Sequence, residues 1–146
     1  MKIALIYKKQ SDWISCKKIV PNLVKSYRRA CSDDSLVEIQ LETEDASEIE
    51  RCNHILYEQC PDRTVFIDHR PAPPDILRHY LIKYNTLPNN LVVHVFGDFV
   101  LDLLKWSSLR EQLQKINCLF VCASEAQRKI VEQRFTGHSD QTALCP

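Results

Sequence analysis

The stretch Leu91-Val-Val-His-Val-Phe-Gly-Asp-Phe99 decides the predicted fold, because it is a short apolar run that stops at one of only two glycines. An apolar run of about four to eight residues that ends at a turn signal is typical of a strand buried on both faces. Cys118-Leu-Phe-Val-Cys122 is a second run of this kind. We therefore predict two buried, parallel strands with a helical connection between them.

Four further segments predict strands of the same sheet. They are residues 2–7, 36–41, 64–68 and the segment that begins at Thr142. The first is fully apolar, and the third is β-branched and aromatic, as expected of strands in the middle of a parallel sheet. With the two runs described above, this gives a sheet of five or six strands.

Helical spacing of apolar residues fills the segments between these strands. Ser15 is a candidate N-cap of the first helix, and Pro21 predicts either a kink or a later start. An acidic helix is expected over about 45–58, and another follows Pro74. One or two helices are expected after the Leu91–Phe99 strand. Ser108-x-x-Glu111 is a capping box, and it predicts a break near Trp106.

The last predicted helix begins at the N-cap candidate Ser124 and runs through Phe135. Strict alternation of strand and helix predicts an α/β fold: a three-layer αβα, Rossmann-like, doubly wound parallel sheet. The 146 residues suit a single domain, 1–146. Such folds bind ligands at the carboxyl ends of their strands, so we expect the site in loops 8–15, 68–74, 97–99 and 123–128.

Composition excludes several classes of function. Only Gly97 and Gly137 occur, so no glycine-rich phosphate loop can be written. Nineteen basic residues balance nineteen acidic ones, and no net field favours nucleic acid as a partner. No apolar run approaches the ~20 residues of a transmembrane segment, and no signal peptide is recognisable at the N-terminus. We expect a cytoplasmic protein.

The seven cysteines predict neither disulfides nor a metal site. Their number is odd, and no C-x-x-C pair exists. Cys118 and Cys122 bracket an apolar strand, while Cys16 and Cys31 take apolar positions of a helix. We interpret most of the cysteines as small buried hydrophobic residues.

Four segments resemble the N-terminal half of GT-B glycosyltransferases of the family-4-like group, and they occur in the right order along the chain. Leu91–Phe99 is similar to a strand that ends in that family's His-Gly-Asp-like turn, and Ser124-Glu-Ala-Gln-Arg128 is similar to its Ser-Glu-x-x-[KR]. Residues 61–71, PDRTVFIDHRP, resemble its P-D-(apolar)-x-H-x-P, and residues 142–146 resemble the strand before its interdomain linker. The similarity covers nearly the whole chain.

Two positions depart from the family pattern. Lys8-Lys9 follows the first strand where the family usually has a Gly-Gly turn near the donor phosphate. A cationic loop there could attract phosphate through its side chains, or could simply be solvated. Phe96 replaces the histidine that many relatives place before the Gly-Asp turn, and the nearest histidine is His94.

The resemblance implies the acceptor-side domain of a glycosyltransferase that moves a sugar from a nucleotide-sugar to an unknown acceptor. It implies no bound metal or other cofactor, a C-terminal Rossmann-like domain as partner, and little activity for this half alone. Asp98 would be the candidate catalytic residue, and Gly97 a sugar or acceptor contact. His69 and Arg70 would form the opposite lip. The floor would be Ser124, Glu125 and Arg128.

Each of these residues also has a purely structural interpretation. Asp98 and Ser124 can cap helices, Gly97 can permit a tight backbone turn, and Glu125 suits the first turn of a helix. A non-catalytic Rossmann-like binding or adaptor module therefore stays open. The basic face of the first helix likewise suits either solvent or an anion.

Two functions that involve phosphate are alternatives to sugar transfer. Cys122-x5-Arg128 formally matches a cysteine phosphatase, although the loop lacks glycine and Glu125 would repel phosphate. A phosphoacceptor receiver needs paired carboxylates after the first strand, where this chain has Lys8-Lys9. The phosphatase is kept as the weaker alternative, and the receiver is rejected.

Overall fold

A computed structural model describes residues 1–10, 14–67, 70, 72–136 and 142–145, with the backbone alone at 14–16, 97, 98, 100 and 136. Strands and helices alternate along it. The strands are β1 (Ile3–Lys8), β2 (Leu36–Leu41), β3 (Arg63–Phe66), β4 (Leu91–His94), β5 (Cys118–Cys122) and β6 (Thr142–Leu144). The α-helices are α1 (Ile14–Ala30), α2 (Ala46–Gln59), α3 (Pro73–Tyr84), α4 (Leu103–Ser108), α5 (Arg110–Leu113) and α6 (Glu125–Val131).

Three shorter helical segments complete the described chain. They are 3-10 turns at Asp33–Ser35 and Gly97–Asp102 and a π-helical turn at Glu132–Thr136 that extends α6. The extension confirms that the last helical segment reaches Phe135.

The six strands form one parallel sheet in the order β2-β1-β3-β4-β5-β6. This confirms the predicted α/β, doubly wound, Rossmann-like architecture. The chain passes from β1 outward to β2 and then returns to β3 on the other side of β1. The order therefore reverses between β1 and β3, and such a switch point opens a crevice at the carboxyl ends of the strands.

The helices divide unequally between the two faces of the sheet. The connection from β1 to β2 runs toward one side of the sheet, and the later connections run toward the other side. Because each crossover is right-handed, the two directions put their helices on opposite faces of the sheet. Accordingly, α1 packs Val20 and Val24 on the face that carries Leu5 and Val65. The other described α-helices contribute to the core on the opposite face, where aromatic rings cluster at Phe66, Trp106, Phe120 and Phe135.

Several predicted helix boundaries were wrong. Ser15 lies inside α1, which begins at Ile14, so it is not the N-cap. Pro21 sits within the same helix, and its side chain is exposed. Ser108 ends α4 and its hydroxyl donates to the Lys105 carbonyl at 2.6 Å, so it does not cap α5. The break falls instead at Leu109, which is buried.

The cysteine interpretation is only partly confirmed. Cys52, Cys118 and Cys122 are buried, whereas Cys60 and Cys145 are exposed. The six cysteines with described side chains are free thiols, Cys31 being half-buried. Three of the six described cysteines are therefore buried, and the two exposed ones lie at the ends of α2 and β6. Among the described helices, none combines the length and the apolar character needed to span a membrane.

Candidate functional site

The predicted site segments follow three neighbouring strands. Phe66 of β3 pairs with Val93 of β4, which pairs with Phe120 of β5. Because all three strands are parallel, their carboxyl ends meet at one edge of the sheet. The structure thus brings together the loops that hold the sequence-predicted residues, although the paired residues Phe66, Val93 and Phe120 are 27 positions apart in the sequence.

The Gly97-Asp98 turn directly follows β4. Both residues belong to the 3-10 turn Gly97–Asp102, so the chain bends at the carboxyl edge of the sheet, as the sequence indicated. The Asp98 side chain is outside the described part of the chain. His69 lies entirely outside the described residues.

Arg70 contacts the segment that follows β4. Its guanidinium lies 3.7 Å from Asp102 Oδ1, and the Asp102 side chain is only 7% exposed. Lys105 Nζ lies 3.7 Å from the same oxygen and 2.9 Å from Asp75 Oδ2. These ion pairs tie the loop after β3 to the loop after β4. Arg70 is therefore placed at the predicted lip and already has a structural partner there.

Ser124 acts as the N-cap of α6, as one of its two interpretations predicted. Its hydroxyl accepts a hydrogen bond from the Gln127 backbone N–H at 3.2 Å. The Gln127 side chain in turn accepts from the Ala123 N–H at 2.9 Å. Together these bonds satisfy two N–H groups near the helix start. Glu125 is 55% exposed in the first turn, where the helix dipole favours a carboxylate.

Arg128 is held by neighbouring side chains. Its Nε donates to Glu132 Oε1 at 3.0 Å and to Thr142 Oγ1 at 3.1 Å. The Thr142 hydroxyl donates to the same Glu132 oxygen at 2.9 Å. These contacts fasten β6 to α6 at the edge of the sheet. The structure therefore gives Arg128 a structural function, and its second ion pair, with Glu125 at 3.7 Å, lies at the helix surface.

Cys122 is unsuited to nucleophilic chemistry in this structure. The side chain is completely buried, and burial raises the pKa of its thiol to about 11. A cysteine nucleophile reacts as the thiolate, which a low pKa and an accessible, electropositive setting favour. This geometry does not support the phosphatase alternative.

Among the cavities that the described residues line, two near the carboxyl edge differ greatly in size. The first, about 20 Å³, is lined largely by apolar groups including Val95, Phe99 and Trp106. It holds at most about one water molecule, so it is too small for a sugar. None of the predicted site residues belongs to its described lining.

The second cavity, here called the α1 cleft, has a volume of about 530 Å³ and lies between α1 and the carboxyl ends of β1 and β2. Its floor includes Tyr7, Val20 and Val24. Five cationic side chains line it: Lys8, Lys9, Lys17, Lys25 and Arg28. No acidic residue belongs to this lining in the part of the chain that the structure describes.

A hydrogen-bonded network lies beside the α1 cleft. The Tyr7 hydroxyl donates to Glu38 Oε1 at 2.5 Å and accepts from Gln40 Nε2 at 2.8 Å. Arg28 holds the same carboxylate through two bonds, of 2.6 and 3.0 Å. The hydrogen bonds from Arg28 lower the pKa of Glu38, while burial raises the pKa of Tyr7. The Glu38 carboxylate is thus kept ionised beside the α1 cleft.

The sequence predicted the elements of this cleft separately, as loop 8–15 and as the basic face of the first helix, but did not predict that they form one site. A usable signal was present, since Lys17, Lys25 and Arg28 recur on one face of α1 and Lys8-Lys9 ends the first strand. Each feature taken separately is also typical of a surface that only contacts solvent. Only the fold, which packs α1 against β1, brings the two features together.

No metal site emerges from the described side chains: no three His, Cys, Asp or Glu residues among them are grouped so as to hold an ion. Comparisons with known proteins gave no match among protein-family models, curated proteins or solved structures. The functional argument therefore depends on the fold and on these strand-end residues.

Proposed function

We propose that this chain is the acceptor-side domain of a GT-B-type glycosyltransferase. In the proposed enzyme a nucleotide-sugar binds mainly to a second Rossmann-like domain, and this domain holds the acceptor and forms one wall of the cleft. The sugar is transferred without a bound metal. The proposal rests on the motif resemblance and on the observation that three of the four motif-bearing segments follow neighbouring parallel strands.

The proposal rests mainly on this adjacency, because motifs that are separate in the sequence can then contact the same ligand. Segments after Phe66, Val93 and Phe120 lie side by side at the carboxyl edge, where a doubly wound sheet binds its ligands. An acceptor wall can be an open surface, because the second domain of the proposed enzyme closes the cleft from the other side.

The chemistry asked of this domain is mainly positioning. Sugar transfer requires that an acceptor hydroxyl be oriented and that the leaving phosphate be stabilised. We assign the acceptor hydroxyl to Asp98 and the close approach of the sugar to Gly97. His69 and Arg70 form the opposite lip. Ser124, Glu125 and Arg128 form the floor, and the intramolecular contacts of Ser124 and Arg128 support a positioning role for these two.

A specific observation favours the second candidate, a non-catalytic binding module. Arg70, Ser124 and Arg128 all have intramolecular partners, and the 530 Å³ α1 cleft is lined by none of the predicted site residues after β3, β4 and β5. In that case the carboxyl edge is structural, and the chain acts through the α1 cleft.

Amide NMR spectra of the ¹⁵N-labelled chain distinguish the two candidates. We expect acceptor sugars, titrated as a panel of common mono- and disaccharides, to shift resonances in the segments after β3, β4 and β5. Nucleotide-sugars should not be turned over by the chain alone. Sustained transfer by the isolated chain, or a panel in which no sugar shifts these segments, would contradict the proposal.

A further inference from the structure

The α1 cleft has the dimensions of a small-molecule site. Its volume of about 530 Å³ falls within the ~300–1,000 Å³ typical of ligand pockets. It opens at the carboxyl ends of β1 and β2, at the edge of the sheet where this class of fold binds ligands. Both its size and its place in the fold point to a bound molecule rather than to a surface depression.

The charges around the cleft indicate the charge of its ligand. Three of the five lining cations have acidic partners that lie outside the lining: Lys8 with Glu44 at 3.8 Å, Lys9 with Glu42 at 3.7 Å, and Arg28 with Glu38 at 2.6 Å. Lys17 and Lys25 have no acidic partner among the described side chains. Two positive charges therefore remain, and a concave surface concentrates their field. A dianion balances them.

The floor of the cleft is apolar and indicates a second feature of the ligand. Val20 and Val24 belong to the lining of the cleft, where they pack between α1 and the sheet. Gln40 and Arg28 flank this floor with hydrogen-bond donors. A ligand that fills the cleft would place an organic group against the valines and an anionic group near the lysines.

We propose that the α1 cleft binds a soluble phosphomonoester, with its dianionic phosphate between Lys17 and Lys25 and its organic part over Val20 and Val24. A phosphomonoester carries close to two negative charges above its second pKa of about 6. Lysine ammonium groups bind phosphate as point charges from flexible stems, which suits a cleft rim without glycine. This site is separate from the proposed acceptor surface.

Phenyl phosphate is a suitable probe because it combines a dianion with a small apolar group. Its binding at pH 8 and low salt can be measured by calorimetry beside inorganic phosphate and the monoanion benzenesulfonate. We expect phenyl phosphate to bind more tightly than either. Lys17→Ala and Lys25→Ala should each weaken it about tenfold, the scale of one lost charge-assisted hydrogen bond.

Lys18→Ala and Arg29→Ala are matched controls, because both remove an exposed positive charge from α1 outside the lining of the cleft. We expect them to change binding less than twofold. Equal losses in all four variants, or benzenesulfonate binding as tightly as phenyl phosphate, would overturn the proposal. So would an absence of phenyl phosphate binding. Binding only to phosphatidylcholine vesicles that contain phosphatidic acid would overturn it in favour of a membrane surface.

Failure of this site leaves the proposed function testable. The sugar titration reads resonances after β3, β4 and β5, whereas phenyl phosphate should shift those of α1 and the end of β1. The two sets of residues do not overlap.

Discussion

The Tyr27 hydroxyl lies 2.9 Å from His94 Nε2, and this hydrogen bond joins α1 to β4 across the sheet. The two rings meet edge to face, with centroids 6.0 Å apart. Burial lowers the pKa of His94 to about 4, so the imidazole is neutral at pH 7 and pairs with a neutral phenol. The contact is therefore sensitive to acid.

This pKa predicts a loss of stability at acidic pH. The unfolded histidine titrates near 6.5, so between about pH 6.5 and 4 the unfolded chain binds a proton that the folded chain does not. The stabilisation is complete above pH 6.5 and is lost as the pH falls toward 4. We expect urea denaturation to show a decrease on the order of 2 kcal/mol from this residue alone.

His94→Gln isolates the contribution of the histidine from that of acidic residues. Glutamine can still bond to Tyr27 but does not titrate. The unfolding free energy of the variant should fall less between pH 7 and 4 than that of the wild type. Parallel pH curves for both proteins would contradict the account of His94.

The second prediction concerns Arg128. Because its guanidinium joins Glu132 to Thr142, Arg128→Ala should detach β6 and lower the unfolding free energy by about 1–3 kcal/mol. Lys129→Ala is the control, since that neighbour is exposed and should change stability by less than about 0.5 kcal/mol. Urea denaturation measures both. Equal effects would show that Arg128 is not a structural contact.

The third prediction concerns thiol reactivity. Cys60 and Cys145 are exposed and should react rapidly with a thiol reagent, whereas Cys122 should react only when the protein unfolds. Mass spectrometry after brief alkylation identifies the labelled positions. Cys122→Ser should cost about 1–3 kcal/mol, because it buries a hydroxyl. Rapid labelling of Cys122 in the folded protein would revive the cysteine-phosphatase alternative.

The fold was predictable because its signals are strong and local. The bounds of β2 and β5 agree with the sequence, since polar segments flank each apolar run. Boundaries failed where tertiary packing overrides local preference. Buried Leu109, rather than the Ser108 cap signal, marks the break between α4 and α5. β4 ends at His94, although Val95 still donates to Val121.

The site was less predictable for a physical reason. A motif such as Ser124–Arg128 specifies helix capping and ion pairing as readily as it specifies a ligand contact, and sequence cannot separate the two. The α1 cleft shows the converse. In the sequence, Lys17, Lys25 and Lys8 look like ordinary surface lysines. They line a common cleft only after α1 packs on the sheet.

The role of Asp98 is the central claim of the proposed function. If its carboxylate orients an acceptor hydroxyl, Asp98→Asn removes a charge-assisted hydrogen bond while keeping the side-chain shape. If Asp98 only caps a helical turn, asparagine caps equally well and sugar binding is unchanged. Asp34→Asn is the matched control, since Asp34 is exposed and precedes β2 at the opposite edge of the sheet.

The decisive measurement is the affinity for whichever saccharide shifts the segments after β3, β4 and β5, determined by NMR titration of the wild type, Asp98→Asn and Asp34→Asn. The account predicts about tenfold weaker binding for Asp98→Asn and an unchanged affinity for Asp34→Asn. Equal affinities in all three proteins, with Asp98→Asn as stable as the wild type, would contradict it.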